Sequence, residues 1–316
     1  MKLSVVEKSL LLAVSAALLS PSEVRACACG CGVFEIGTSS MFPKGPGGMA
    51  FVEYDYQDQN QNYYGSSRAP AADNDDKDIK THFITTGLQY MFNRSWGVKA
   101  EIPFVYRSFL AEDAGTPMAA HWSGLGDIRV EGIYTGFSPD LSSGLTLGLK
   151  LPTGDFAYRA DTIDRDTQIG SGSTDLLLGA FHRGRLSVTG DWNWFVAAKL
   201  DLPIWTQDQY RPGLEVNAAA GVYYSGWNLG GVQVSPLAQI IASERTRDTG
   251  DNAIGGAQNP GQVATGSERL LISPGMEFNY HSFRVDAAVQ VPVYQHFTGN
   301  QLASSITFKL VLSYHF

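Results

Sequence analysis

The stretch Trp96-Gly97-Val98-Lys99-Ala100-Glu101-Ile102-Pro103-Phe104-Val105-Tyr106-Arg107-Ser108 alternates between two kinds of side chain. Its even positions are apolar from Trp96 to Tyr106, whereas its odd positions include the charged Lys99, Glu101 and Arg107. Successive side chains of a strand point to opposite faces. The two-residue period therefore predicts a strand with one apolar and one polar face.

The same period recurs along the chain. Charges of both signs fall on the polar face, and none lies in the middle of the apolar face. The pattern predicts twelve strands, at about residues 48-57, 80-92, 96-108, 125-137, 144-151, 173-183, 191-205, 212-225, 229-242, 268-280, 283-295 and 303-316.

The connections between these segments alternate in length. The short ones are 93-95, 138-143, 184-190, 226-228 and 281-282. The others are mostly long and rich in Asp, Gly, Asn and Pro: 58-79, 109-124, 152-172, 206-211, 243-267 and 296-302. Short periplasmic turns and long outer loops are typical of outer-membrane barrels. We therefore predict an all-β, transmembrane antiparallel β-barrel of about twelve strands, with long extracellular loops.

Aromatic residues gather at both ends of the segments, as expected of rings that prefer the two membrane interfaces. Beside the short turns lie Phe92, Trp96, Trp192, Trp194, Trp227, Tyr280 and Phe283, and beside the long loops lie Tyr56, Tyr106, Trp205, Tyr210 and Tyr294. The final strand resembles the C-terminal signal by which outer-membrane barrels are recognised for assembly. Its signal residues are Phe308, Leu310, Leu312, Tyr314 and Phe316.

The first residues have the pattern of a secretory signal peptide. Lys2 and Lys8 precede a short apolar run, and small residues around Arg25 lead to Cys27. We predict a signal peptide at 1-26, a periplasmic Cys-rich segment at 27-46 and a barrel at 47-316. Lipidation of Cys27, or cleavage after Ala28, are the alternatives. The predicted location is the outer membrane of a Gram-negative envelope, with the lipid bilayer and the barrel assembly machinery as partners.

Composition excludes two other classes. The mean hydropathy of -0.10 is too low for a bundle of transmembrane helices, each of which needs about 20 apolar residues. The net charge of -8 argues against a nucleic-acid partner, which favours a basic face.

Three motifs resemble the meta-pathway phenol-degradation transporter family of outer-membrane barrels: Gly124-Leu125-Gly126-Asp127, Leu149-Lys150-Leu151-Pro152-Thr153-Gly154-Asp155 and Gly170-Ser171-Gly172-Ser173-Thr174-Asp175. The similarity runs over most of residues 80-316. It implies an outer-membrane transporter for aromatic or other hydrophobic compounds. Separately, we expect no enzymatic activity.

The polar face predicts a lumen lined by charges of both signs. The pore-lining residues are predicted to be Lys99, Glu101, Arg107, Asp127, Arg129, Glu131, Lys150, Lys199, Asp201, Arg284 and Asp286. Such groups either line a hydrated path for solutes or pair across the barrel and fill it. A barrel of about eight strands is filled by side chains and one of about sixteen holds a channel. Twelve strands therefore favour a narrow or plugged passage.

A second hypothesis concerns Cys27, Cys29 and Cys31, whose i, i+2, i+4 spacing places three sulfurs on one side of an extended chain. Thiolates suit Cu(I), or Zn²⁺ with a fourth ligand. Otherwise no cofactor is expected. Disulfide formation in the periplasm is the alternative. With Cu(I) bound by these thiolates, the chain would be a copper-linked outer-membrane barrel.

A third hypothesis is a structural outer-membrane protein or a surface lipase. A turn centred on Arg94 sets His82 opposite Tyr106, one diagonal step from Ser108. A nucleophile also needs an orienting group, and the sequence offers no evident third member.

Overall fold

The computed structural model describes residues 42–43, 45–113, 115–159, 163–186, 191–250 and 265–316. It contains short 3₁₀ helices at Ala71–Asn74 and Arg165–Thr167. The strands are β1 (Gly47–Gly65), β2 (Ser67–Arg68), β3 (Asp78–Met91), β4 (Trp96–Asp113), β5 (Thr116–Leu125), β6 (Ile128–Tyr134), β7 (Ser143–Leu151), β8 (Ser173–Arg185), β9 (Trp192–Thr206), β10 (Tyr210–Arg211), β11 (Glu215–Tyr224), β12 (Trp227–Leu229), β13 (Val232–Arg245), β14 (Thr249–Gly250), β15 (Ser267–Tyr280) and β16 (Phe283–His315).

Within the described ranges, eleven of these strands form a closed antiparallel barrel in the order β1-β3-β4-β6-β7-β8-β9-β11-β13-β15-β16. β16 closes it against β1, and β11 pairs directly with β13. At the C-terminus, Gly48 N donates to Phe316 O at 2.8 Å and Phe316 N donates to Gly48 O at 2.9 Å. Closure pairs each of these eleven strands with two neighbours in the ring, so that the ring itself has no open edge.

The strand count differs from the twelve predicted segments because the last two form one continuous element. Residues 283–297 of β16 pair with β15, and residues 297–315 pair with β1. The predicted register about Arg94 is confirmed, since His82 lies opposite Tyr106.

The prediction that residues 109-124 form a long loop is wrong. β4 continues to Asp113, and β5 pairs with it from Thr116 onward. The inward Phe109, Ala111, Ala120 and Trp122 join an apolar cluster at this end of the barrel. Apolar residues therefore line the inside of this hairpin, so that the outward apolar pattern used to recognise strands does not extend to it.

The outer surface of the barrel carries a continuous apolar band. Its exposed side chains include Leu88, Ile102 and Leu312, with Trp96, Trp192, Trp227 and Phe283 at the short-turn end and Tyr106, Trp205 and Tyr294 at the other. From Trp96 to Tyr106, a rise of about 3.3 Å per residue gives about 33 Å along the strand. A tilt of about 40° reduces this height to about 25 Å, the height of the apolar band in outer-membrane barrels. Among the described residues, no helix is long and apolar enough to cross a membrane.

Inward positions alternate with this band, and several of them are glycines, among them Gly148 on β7 and Gly179 on β8. A Cβ at Gly148 would overlap the carbonyl oxygen of Val130 and the side chain of Glu131. A Cβ at Gly179 would overlap the hydroxyl of Thr146. These glycines leave room for the long charged side chains of neighbouring strands to lie across the wall.

We expect Gly148→Ala to destabilise the barrel, because the added methyl meets backbone on β6 that cannot move without breaking the ladder. Overpacking of this kind costs about 1–3 kcal/mol. The matched control is Gly124→Ala on β5, where an added Cβ meets nothing within 4 Å. Urea unfolding of the folded barrels would measure the difference, and equal midpoints would contradict the close packing at Gly148.

Candidate functional site

The barrel interior holds a cavity of about 300 Å³. Nine of the eleven predicted pore-lining residues line it: Lys99, Glu101, Arg107, Asp127, Arg129, Glu131, Lys150, Lys199 and Asp201. The other two, Arg284 and Asp286, are buried on β16 outside the lining of the cavity. There Arg284 donates a hydrogen bond to Asn279 and lies 3.5 Å from Glu277. The structure thus separates these two from the other predicted residues. Passage of solute along this lining stays a prediction.

Ion pairs connect the charges on one side of the cavity. Glu131 on β6 lies 3.2 Å from Lys99 Nζ on β4 and 3.1 Å from Lys199 Nζ on β9. Arg129 Nη1 donates to Asp201 Oδ2 at 2.8 Å, again between β6 and β9. The two strands between, β7 and β8, carry the inward Gly148 and Gly179. Because these glycines have no side chains, carboxylates and ammonium groups from β6 and β9 can meet over them.

Two further ion pairs lie on other parts of the wall. Lys150 Nζ lies 2.5 Å from Asp175 Oδ2. On the opposite side, Lys309 Nζ lies 2.6 Å from Glu53 Oε1 and 3.2 Å from Asp55 Oδ1. The charges are therefore arranged as neighbouring cations and anions. Such a surface stays polar without a strong excess of either sign.

The connection 152–172 is here called the plug loop, and its described residues, 152–159 and 163–172, fold into the barrel at the long-loop end. Asp127 holds its two ends together: one carboxylate oxygen accepts from Gly154 N at 3.0 Å, and the other accepts from Ser171 N at 2.9 Å and Ser171 Oγ at 2.5 Å. From the wall, Arg107 Nη1 donates to the carbonyls of Thr167 and Gln168. The plug loop is thus fixed to β4 and to the β5–β6 junction.

Apolar packing anchors the same loop to the extended hairpin of β4 and β5. The rings of Trp122 and Tyr158 stack with centroids 4.9 Å apart. Ile163 is buried in the cluster that includes Ile79 and Phe109. The hairpin formed by 109–113 and 116–124, which we predicted to be a loop, therefore packs against the plug loop.

A second group of buried polar residues, which includes Arg165 of the plug loop, closes this end of the cavity. Arg165 contacts the rings of Phe156 and Tyr210, at 4.3 and 5.1 Å from the ring centroids. Tyr210 donates to Asp248 Oδ2 at 2.6 Å, and Asp248 also accepts from Arg245 at 2.9 Å. Burial, with the Asp248 carboxylate next, raises the pKa of Tyr210 well above its ordinary value. Tyr210 therefore remains a neutral donor, and it lies inside the barrel rather than in the predicted aromatic girdle.

At the short-turn end, residues from before the first strand lie inside the barrel. Phe42 and Pro43 line the cavity. The Phe42 ring stacks on Phe181 with centroids 4.7 Å apart, and Arg183 Nη2 donates to Pro43 O at 2.9 Å. Both residues belong to the segment 27-46 that we predicted to be periplasmic. These two residues lie within the barrel, and the periplasmic location of the segment stays a prediction.

Sequence reasoning identified the charged wall but missed the parts that narrow it. Phe42, Arg165 and Tyr210 lie outside the alternating segments, so that no periodicity indicates their direction. One signal was available for the plug loop. Asp127 and Ser171 both stand in the motifs used for the family resemblance, and the structure joins them by hydrogen bonds.

Other predicted sites are placed as follows. Cys27, Cys29 and Cys31 lie outside the described residues, so that copper or zinc binding stays a prediction; within the part of the chain that is described, no group of three or more metal-ligating side chains occurs. His82 Nδ1 lies 2.9 Å from Tyr54 Oη, and Ser108 lies opposite Lys80 rather than His82. The predicted assembly-signal residues Phe308, Leu310, Leu312, Tyr314 and Phe316 are exposed on the outer face.

The barrel is similar in structure to an outer-membrane channel from Pseudomonas putida F1, with a TM-score of 0.66 and 12% identity over 89% of this chain and 100% of that chain. The β domain of the Bordetella autotransporter BrkA has a TM-score of 0.49 and 12% identity, over 86% and 100%. The Pseudomonas putida toluene transporter TodX has a TM-score of 0.41 and 11% identity, over 93% and 96%. The likeness to the channel from Pseudomonas putida F1 shows the barrel fold alone. No family model and no curated protein matches the chain.

We expect Glu131→Gln to destabilise the barrel, because it removes the carboxylate shared by Lys99 and Lys199 and leaves two ammonium groups facing each other. Breaking a buried pair typically costs about 3–5 kcal/mol. The control Glu268→Gln removes the same charge from an exposed position on β15 and is expected to change stability by less than about 0.5 kcal/mol. Equal unfolding midpoints for the two variants would show that the Glu131 pairs contribute nothing.

Proposed function

We propose that the chain is an outer-membrane channel that passes small solutes through the barrel interior. The observation that carries this proposal is the cavity of about 300 Å³ inside a closed barrel, between the plug loop and Phe42. Its wall combines paired charges with apolar side chains such as Val105, Phe181 and Ile169. A pathway needs an interior that holds water and that solutes can enter and leave, and a wall of paired charges and apolar side chains provides it.

The size of the cavity supports small solutes. Ligand pockets typically measure about 300–1,000 Å³, which puts this one at the small end. An apolar cavity of about 150 Å³ accommodates benzene. A molecule of one ring with a short substituent therefore fits, whereas a larger one requires the plug loop or Phe42 to move.

The outer surface supports placement in an outer membrane. The apolar band, the aromatic residues at both of its ends and the closed strand ladder satisfy the requirements of a bilayer. Membership of the meta-pathway phenol-degradation transporter family, with aromatic or other hydrophobic solutes, is part of the same proposal and is supported by the motifs around Asp127 and Ser171. We also propose that the barrel is a twelve-stranded one, in which the part of β16 that pairs with β15 and the part that pairs with β1 count as two strands.

The alternative role is structural, and one observation favours it. The charges of the interior pair with each other, as they would in a barrel that side chains fill. The two functions differ in whether the plug loop ever leaves the lumen, so that conductance separates them.

The deciding experiment measures conductance of the full-length chain, produced with its leader and purified from outer membranes, in a planar bilayer. Discrete conductance steps, and uptake of small solutes into proteoliposomes, are expected of a channel. A folded barrel that conducts no ions and admits no solute, both in the native form and after release of the plug loop, would overturn the proposal.

Release of the plug loop can be produced at Asp127. In Asp127→Asn the amide nitrogen cannot accept the hydrogen bonds from one end of the loop, and bonds to a charged acceptor contribute about 1.5–3 kcal/mol. We expect open events to become about tenfold more frequent, since about 1.4 kcal/mol changes a population tenfold.

The matched control is Asp155→Asn, which removes the same charge from the plug loop itself. Asp155 is exposed, and its carboxylate accepts from Ala157 N within the loop. Its open frequency should equal that of the native chain. The same increase in both variants would mean that net charge, rather than release of the loop, sets the conductance.

A further inference from the structure

The interior wall has a strongly apolar region that is separate from the cluster around Phe109, and we call it the apolar cup. It consists of inward side chains from five neighbouring strands, β8, β9, β11, β13 and β15. They are Phe181, Phe195, Ala219, Leu237, Ile241 and Leu271. The described wall on the β4–β6 side carries ion pairs instead. A concave apolar surface of this kind favours an apolar occupant, because burial removes both surfaces from water.

The occupant of the apolar cup in this structure is the ring of Phe42. The ring lies nearly parallel to Phe181, with centroids 4.7 Å apart and an interplanar angle of 18°. It meets Phe195 edge to face, at 5.6 Å and 63°. Stacked and edge-to-face contacts are the preferred geometries of aromatic pairs. The site is therefore shaped for a flat ring between two other rings.

Phe42 is not part of the wall that it covers. It precedes β1, and Arg183 holds the adjacent carbonyl of Pro43. Every other member of the cluster is fixed by its strand. The ring of Phe42 can therefore leave while the apolar cup keeps its shape, which is not true of Phe181 or Phe195.

The apolar cup adjoins the cavity. Phe42, Pro43, Phe181 and Ala197 all line that space. A molecule in the cavity can therefore reach the ring of Phe42, and a ring of similar size in its place would make the same contacts with Phe181 and Phe195.

We propose that the apolar cup is a binding site for one aromatic ring of a solute, and that Phe42 is its internal competitor. Phe42 occupies the apolar cup in the absence of solute and is displaced when a solute ring enters from the cavity. Passage of that solute rests on the proposed channel function, whereas the binding itself does not.

The test uses toluene as the probe and the full-length barrel folded in detergent. Phe42→Ala removes the competitor and leaves an empty site, so that toluene should bind at least about tenfold more tightly than to the native barrel and should raise its melting temperature. The matched control is Phe92→Ala, which removes a phenylalanine exposed on the outer face. That variant should bind toluene as the native barrel does.

Methylcyclohexane tests whether the site selects a ring with an aromatic face. Weaker binding than toluene is expected from the geometry of Phe181 and Phe195, and equal binding would overturn the aromatic specificity. If the folded Phe42→Ala variant binds toluene no more tightly than Phe92→Ala does, the proposed site is overturned.

A measurement on the native chain covers the case in which Phe42→Ala does not fold. In an NMR titration of the barrel with methyl-labelled isoleucine and leucine, toluene should shift the methyl resonances of Ile241 and Leu271. If these resonances do not shift at saturating toluene, the proposal is overturned. A barrel that binds toluene in the apolar cup but never conducts would refute the channel and leave this site intact.

Discussion

Closure of the sheet is the constraint on which the rest of the structure depends. A strand placed in hydrocarbon must find partners for its backbone groups on both sides, and only a ring of strands provides them. β16 pairs with β15 along one part of its length and with β1 along the other, which joins the last strand to the first. Once the ring is closed, every residue faces either the outside or the interior. The apolar band and the charged wall are two consequences of this one geometry.

The charged side chains that closure places in the interior must find partners there. Charges on neighbouring strands cannot remain buried alone, because an isolated buried ion is costly. Glu131 meets Lys99 and Lys199, and Lys309 meets Glu53 and Asp55. Because Gly148 and Gly179 have no side chains, the charged groups of β6 and β9 can meet across β7 and β8. The same wall that stabilises the barrel also determines what the cavity can accept.

Two segments from outside the ring complete the interior. The plug loop enters from one end and is held by Asp127 and Arg107, whereas Phe42 enters from the other and is held by ring contacts. The first attachment combines these hydrogen bonds with apolar packing against β4 and β5, and the second combines ring contacts with the hydrogen bond from Arg183 to the carbonyl of Pro43.

The sequence by itself determined the strands, their two faces and the register of the β3–β4 hairpin, because a two-residue period is a local property that each strand displays alone. It also placed nine of eleven predicted lumen residues on the cavity wall. Only the tertiary structure decided that 109–124 is a paired hairpin, that Tyr210 is buried beside Asp248, and that Phe42 fills the apolar cup. These positions depend on contacts between residues far apart in the chain, for which no local pattern exists. The alternation of side chains therefore predicts the wall of the barrel. The segments that fill its lumen are decided by the space and the contacts that exist only after the ring has closed.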